Sequence, residues 1–405
     1  MSKRGRAPII PVTVLMGSPG SGKTTLMKHM LNDGSHNMKF AVIENGLHEN
    51  DELAMQETEF SEKVDKEEEI TDIVNGCYSC YLRSDLVRAL KRLYAKAKVA
   101  SSVNGVIIET NGMTDPIPVI QTFLIDETLQ QMYKLDSVIA VVDANSIVDR
   151  LDEQKPEGIE NEAIEQIVFA DKIILNKMDL FSSSEAQVAK IEARLRQFNL
   201  TAPILRASYG KIAPKELLNV RAFDMKQILH FQPPPEGSLP KDQGHQQRDS
   251  SIVFVTIRLK GNVNMELLTQ WIHRIIAEDG ANLKRYKGVV AVKGKAEKLV
   301  VQGVGMLMMG SFEGTWKKGE RRECRFAFIG KYLDVEYLKD GFKACLVTKK
   351  PPRFGIGTRV LANCGKWKRG IVLKHWDEGN VYRIRLDTND EVWAPLDIDQ
   401  YIKRI

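Results

Sequence analysis

Gly17-Ser18-Pro19-Gly20-Ser21-Gly22-Lys23-Thr24 has the spacing G-x-x-x-x-G-K-T. Glycines at these positions let the backbone curl so that successive N–H groups aim at one anion. The apolar run Val12–Met16 leads into the loop, and a helical pattern leads out of it. In that setting the segment is a phosphate cradle, and the helix N-terminus adds a favourable dipole. Lys23 would reach the β- and γ-phosphates of a bound nucleotide. The Thr24 hydroxyl would sit on Mg, with Thr25 beside it at the start of the helix.

A second motif reads the base. Asn176-Lys177-Met178-Asp179 follows another apolar strand. A carboxylate at Asp179 can accept from both N–H groups on the N1/N2 edge of guanine. Adenine has no such pair, so it would leave a buried charge unsatisfied. GTP and GDP are therefore the expected nucleotides. A third motif, Glu109-Thr110-Asn111-Gly112, ends a strand between these two. Glu109 can hold Mg directly or through water, and the Gly112 N–H can sense a γ-phosphate. Lys23, Glu109 and Gly112 form the candidate catalytic set. Asp143, closing the strand Val138–Val142, reads either as a more remote partner of that site or as a cap for the next helix.

Cys77-Tyr78-Ser79-Cys80 is the one close cysteine pair among the five cysteines. Two thiolates supply half of a tetrahedral zinc site. Glu44, His48 and Glu49 follow the second strand, where phosphate-loop GTPases carry a mobile nucleotide-sensing loop, and they are candidates for the remaining ligands. The plainer reading makes Cys77 and Cys80 small buried hydrophobes and leaves His48 solvated. The acidic run Glu62–Asp72 reads as a solvated loop.

These residues need elements to position them. Val12–Met16, Phe40–Ile43, Val106–Glu109, Val138–Val142 and Lys172–Leu175 read as short buried strands. Helical patterns such as Leu82–Ala97 lie between them. That alternation predicts an α/β fold with a parallel sheet. The Pro-, Gly- and Gln-rich stretch Phe231–Ser250 reads as a linker. Ser251–Leu259 alternates as a strand, Asn264 caps a helix over Asn264–Ala277, and a final helix is expected near Val335–Leu346. Beyond Lys349–Arg353 the chain predicts short strands at Thr358–Ala362, Lys368–Leu373, Val381–Leu386 and Glu391–Ala394. There Trp367, Trp376, Val381 and Trp393 are expected to fill a tiny core, in preference to lining a cage for a methylated lysine.

Length and composition set bounds. The 405 residues suggest two or three domains at roughly 100–200 residues each. A net charge of +5 is too dilute to argue for nucleic acid. No stretch approaches the roughly 18 apolar residues of a membrane span, and no signal peptide follows the basic N-terminus. An odd, sparse cysteine count fits a reducing compartment, so a cytoplasmic location is expected.

Taken together, Gly17–Thr25, Asn75–Leu90, Glu109–Phe123 and Ala170–Leu180 resemble the CobW-type GTPases, a family of nucleotide-dependent metallochaperones. Leu283–Gly294 and Val300–Gly310 are similar to the CobW C-terminal domain. The resemblance implies a phosphate-loop GTPase domain over 1–225, with a parallel sheet and helices on both faces. A linker over 226–250 and an α+β CobW C-terminal domain over 251–349 would follow. The tail, 350–405, resembles a small all-β Tudor-like barrel that could bind a protein partner. The implied activity is Mg-dependent GTP hydrolysis coupled to transfer of a transition metal, zinc first among the candidates, to a client metalloprotein. Ser79 stands where the family's Cys-x-Cys-Cys motif has its middle cysteine. The alternative is therefore a metal-independent, GTP-switched interaction module.

Overall fold

A computed structural model describes residues 9–44, 70–72, 86–95, 103–110, 112, 116–156, 160–180, 185–230, 232, 252–347, 352–377, 380–395 and 397–405. Of these, the residues up to Ile228 form one compact unit and those from Leu229 onward form another.

The first unit is built on seven parallel strands. They are β1 (Ile10–Met16), β2 (Phe40–Glu44), β3 (Ile70–Asp72), β4 (Gly105–Glu109), β5 (Tyr133–Asp143), β6 (Lys172–Asn176) and β7 (Ile204–Arg206). Their order across the sheet is β3-β2-β4-β1-β5-β6-β7. The central strands are apolar along their length because helices cover a parallel sheet. In β1, for example, Val12, Val14, Leu15 and Met16 are all fully buried. Between the strands run α1 (Lys23–Asn32), α2 (86–95), α3 (Pro116–Ile125), α4 (Glu127–Met132), α5 (Ile147–Asp152), α6 (Glu162–Phe169) and α7 (Glu185–Phe198). Leu26, Met27 and Met30 of α1 pack on Leu15, Ile107, Val141 and Ile174 of the sheet. This contact fixes the start of α1 over the carboxyl end of β1. A short helix, α8 (Met225–Ile228), closes the unit.

The second unit holds two antiparallel sheets. The first has the order β11-β10-β9-β12-β8. Its strands are β8 (Ile252–Lys260), β9 (Leu283–Ala291), β10 (Glu297–Val304), β11 (Leu307–Thr315) and β12 (Glu323–Lys331), with α9 (Met265–Asp279) and α10 (Val335–Ala344). Trp271 of α9 stacks on Phe342 of α10 with ring centroids 5.1 Å apart and meets Phe326 and Phe328 edge-on. The second sheet, ordered β16-β15-β14-β13-β17, contains β13 (Arg359–Asn363), β14 (Trp367–Asp377), β15 (Asn380–Leu386), β16 (Glu391–Ala394) and β17 (Ile402–Arg404). One hydrophobic cluster runs through both sheets, from Trp271 and Phe342 to Val372, Tyr382 and Ile402. The Arg274 guanidinium bonds the Tyr401 hydroxyl and lies 4.7 Å over its ring. The tail thus shares a core with the α+β part rather than standing apart.

Two expectations need correction. The tail's core is Val360, Ala362, Val372, Val381, Tyr382, Ile384, Leu386 and Ile402. Val381 belongs to it, but Trp367, Trp376 and Trp393 are 39%, 47% and 37% exposed. The inward positions of β14 and β15 are filled by aliphatic residues and Tyr382, so these indoles stay outside. Lys403 covers Trp367, and Arg383 covers Trp393. Secondly, Ile70–Asp72, the end of the acidic run, is a strand paired with β2. Its partner supplies the hydrogen bonds, which charge composition does not reveal. Leu229 lies with the second unit, its carbonyl accepting from Arg325.

Asn264 caps α9 as its sequence suggests, its side chain accepting from Glu266 N at 2.8 Å and Leu267 N at 3.2 Å. Asn264→Ala should therefore cost about 1 kcal/mol of stability, read from the midpoint of denaturant unfolding at unchanged slope.

Candidate functional site

Candidate residues lie at the carboxyl ends of β1, β4 and β6 and in the loops that follow them. Ligands of open α/β sheets bind in such a crevice, where the strand order reverses about β1.

The phosphate loop wraps the start of α1. Lys23 is the first residue of that helix, and Gly22 before it has φ 102°, a left-handed conformation that suits glycine. A Cβ at Gly22 would also lie 2.3 Å from Asn176 Nδ2. Lys23 Nζ donates to the carbonyls of Gly17 at 2.9 Å and Ser18 at 3.3 Å, so its ammonium lies folded across the loop. Ser18, Pro19 and Gly20 form the outer rim, with Pro19 and Gly20 exposed, while Ser21 is buried within it. Thr24 and Thr25 are exposed on the first turn of α1.

Glu109 closes the crevice from β4. Thr24 Oγ1 donates to Glu109 Oε1 at 2.7 Å. The other oxygen, Oε2, is buried without a hydrogen-bond partner among the described residues. Burial raises the Glu109 carboxyl above the usual carboxylate range, against the opposing pull of the Thr24 hydrogen bond and the Lys23 charge. Burial lowers the Lys23 ammonium, partly offset by Glu109. An orphaned carboxylate oxygen beside a threonine hydroxyl is a donor set suited to a hard divalent cation such as Mg. Gly112 is packed so closely that a Cβ there would lie 2.1 Å from Pro19 Cδ. The carboxyl-end residues Glu44, Asp72 and Glu109 stand level across β3, β2 and β4.

The Asn176–Asp179 motif is tied to the same loop. Asn176, 2% exposed at the end of β6, donates through Nδ2 to the Ser21 carbonyl at 2.9 Å. Its Oδ1 accepts from Gly210 N at 3.0 Å. Lys177 takes a left-handed φ of 61°, and its Nζ pairs with Asp143 Oδ2 at 2.9 Å. Asp143 also accepts from Asn145 N, so it serves a turn and an ion pair together. Asp179 is exposed, its Oδ1 accepting from Tyr209 N at 3.3 Å.

The structure therefore brings together Gly17–Thr25, Glu109, Gly112, Asn176, Lys177 and Asp179. Of the zinc candidates, Cys77, Cys80, His48 and Glu49 lie outside the described residues. Glu44 is placed by its backbone alone, at the end of β2. No group of three metal-ligating side chains occurs among the described residues. Two contributors escaped the motif reading. One is the Ser208–Gly210 loop after β7, which has no charged residue to mark it. The other is Gln166 of α6, whose Nε2 donates to the Gly112 carbonyl at 3.1 Å. A glutamine inside the apolar stretch Ala163–Phe169 was the available signal.

Residues 11–206 match the family described as CobW/HypB/UreG, nucleotide-binding domain, and residues 252–346 match the cobalamin synthesis protein cobW C-terminal domain. The zinc chaperone YjiA of Escherichia coli is 31% identical over 334 residues, covering 82% of this chain and 98% of that protein. This chain belongs to the CobW family. The zinc-regulated GTPase metalloprotein activator 1 of Saccharomyces cerevisiae is 27% identical over 82% of each chain. The crystal structure of Zn(II)-bound YjiA GTPase from E. coli superimposes with a TM-score of 0.62 at 28% identity, covering 84% of this chain and all of that one. Residues 352–405 of this CobW-type chain lie beyond both matched segments.

The raised Glu109 carboxyl sets a pH dependence. Below the ordinary carboxylate range, at about pH 4, the group is protonated in both folded and unfolded chains and leaves stability unchanged. As pH rises, the unfolded chain ionises first, and the folded chain loses stability. Glu109→Gln should therefore raise the thermal midpoint near neutral pH. That gain should vanish below about pH 4 in a pH series of melts.

Proposed function

We propose that this chain is a GTP-hydrolysing metallochaperone that delivers a transition metal, zinc foremost, to a client protein. The observation that carries the hydrolytic half is the Thr24–Glu109 contact at 2.7 Å, with a second carboxylate oxygen that is buried and has no hydrogen-bond partner among the described residues. Thr24 and Glu109 would hold Mg, which when bound draws charge from the β- and γ-phosphate oxygens. Lys23 turns from the loop carbonyls to the outer phosphates. The Gly17–Lys23 amides, Pro19 excepted, bind the β-phosphate, and Gly112 meets the γ-phosphate from the far side. Asp179 accepts from the guanine edge, while Asn176 fixes the loop beneath it. Glu109 orients the attacking water.

The metal-handling half rests on family relationship and sequence. The relatives named above are a zinc chaperone and a zinc-regulated GTPase activator. In this chain Cys77 and Cys80 supply thiolate ligands, with Glu44, His48 and Glu49 as further candidates. The chain from Glu44 to Ile70 joins two strands whose ends stand level with Glu109. We infer that the nucleotide state at Glu109 is felt in the segments that leave Glu44 and Asp72, which carry the candidate metal ligands. Zinc is cargo here, and the client is a metalloprotein that accepts it. No helix among the described residues is long and apolar enough to cross a membrane.

Two measurements test the reading. Asp179→Ala should weaken GTP binding about 10- to 100-fold, the value of a lost charge-assisted contact. It should also abolish discrimination between GTP and ITP, which lacks the guanine 2-amino group, in a competition titration. Zinc affinity, measured against a chelating dye, should differ between GTP- and GDP-loaded protein, because linked sites are reciprocal. The Cys77→Ser, Cys80→Ser double variant should lose that zinc binding. Equal zinc affinity in both nucleotide states would leave a GTP switch without a metal cargo.

A further inference from the structure

Gln166 belongs to none of the nucleotide motifs, yet it reaches the site. It lies in α6, whose start is fixed by Asn161 accepting from Ala163 N at 3.0 Å and Ile164 N at 3.1 Å. The Gln166 side chain is 2% exposed, and its Nε2 donates to the carbonyl of Gly112 at 3.1 Å. On its other side Gly112 is jammed against the phosphate loop: a Cβ would lie 2.1 Å from Pro19 Cδ and 2.2 Å from Pro19 N. Pro19 has no N–H, so the phosphate loop offers no amide donor at that point. Gly112 is the backbone next to the gap. A buried glutamine that loses its acceptor also loses its compensation for leaving water. The bond therefore biases the Gly112 segment toward its docked position.

We propose that Gln166 is a positioning residue for GTP hydrolysis. It holds Gly112 over Pro19 so that the backbone after β4 is in place when a γ-phosphate arrives. Because α6 leads directly into β6 and Asn176, Gln166 ties the γ-phosphate side of the site to the element that reads the base. GDP lacks the phosphate that Gly112 meets, so its binding is independent of this contact. The inference rests on the GTPase reading above.

The test uses the full chain with Gln166→Leu and Gln166→Met, which keep bulk and remove the donor. Expected is a fall in kcat for GTP hydrolysis of about tenfold or more, with GDP affinity within about twofold of the parent. Gly112→Ala should show the same kcat loss, and the double variant Gln166→Leu, Gly112→Ala should be no worse than either single change. An unchanged kcat in a folded Gln166 variant would overturn the proposal. So would a parallel loss of GDP and GTP affinity, which marks a purely structural role. If the parent chain itself fails to hydrolyse GTP, the GTPase reading falls; if the parent is active and the variants match it, only the Gln166 proposal falls.

Discussion

The structure depends on the two-sided hydrogen bonding of one buried amide, that of Asn176. Its Nδ2 holds the phosphate loop at Ser21, and its Oδ1 holds the loop after β7 at Gly210. A buried primary amide left half satisfied is unfavourable, so both loops are held to the same side chain. Gly22 must be a glycine partly because Asn176 occupies the space a Cβ would take. One residue of the Asn176–Asp179 motif thus ties the loop before α1 to the loop after β7.

Around these loops the charges are poised rather than neutralised. Lys23 is spread over loop carbonyls, and Glu109 shares one oxygen with Thr24 while the other has no partner among the described residues. Burial works against the charged form of both groups. Such strain is characteristic of sites that await an ion and a polyanion, because preorganised partners need little rearrangement when the ligand arrives. The apolar sheet beneath makes this possible by excluding water from one side of the site.

The second unit follows a different logic. Its α+β part is organised by Trp271, with Phe326, Phe328 and Phe342 packed about the indole. The tail adds its own sheet but not a separate core, and Arg274 and Tyr401 seal the seam. Small β-domains bury little apolar surface alone, so sharing a core is a physical route to stability for about 50 residues.

Much of the nucleotide site was legible in the linear chain. Gly17–Thr24, Glu109 and Asn176–Asp179 each follow an apolar strand, and a parallel sheet must present such strand ends along one edge. Local chemistry also located the α9 cap at Asn264. What the linear chain left open were relations between distant segments. Gln166 meets Gly112 across 54 positions, and Asn176 meets Gly210 across 34. The indoles of Trp367, Trp376 and Trp393 have the composition of a core, but strand register decides which side chains point inward. Residue type and spacing determine which chemistry is possible; only tertiary packing decides which backbone groups are buried and so must find a partner.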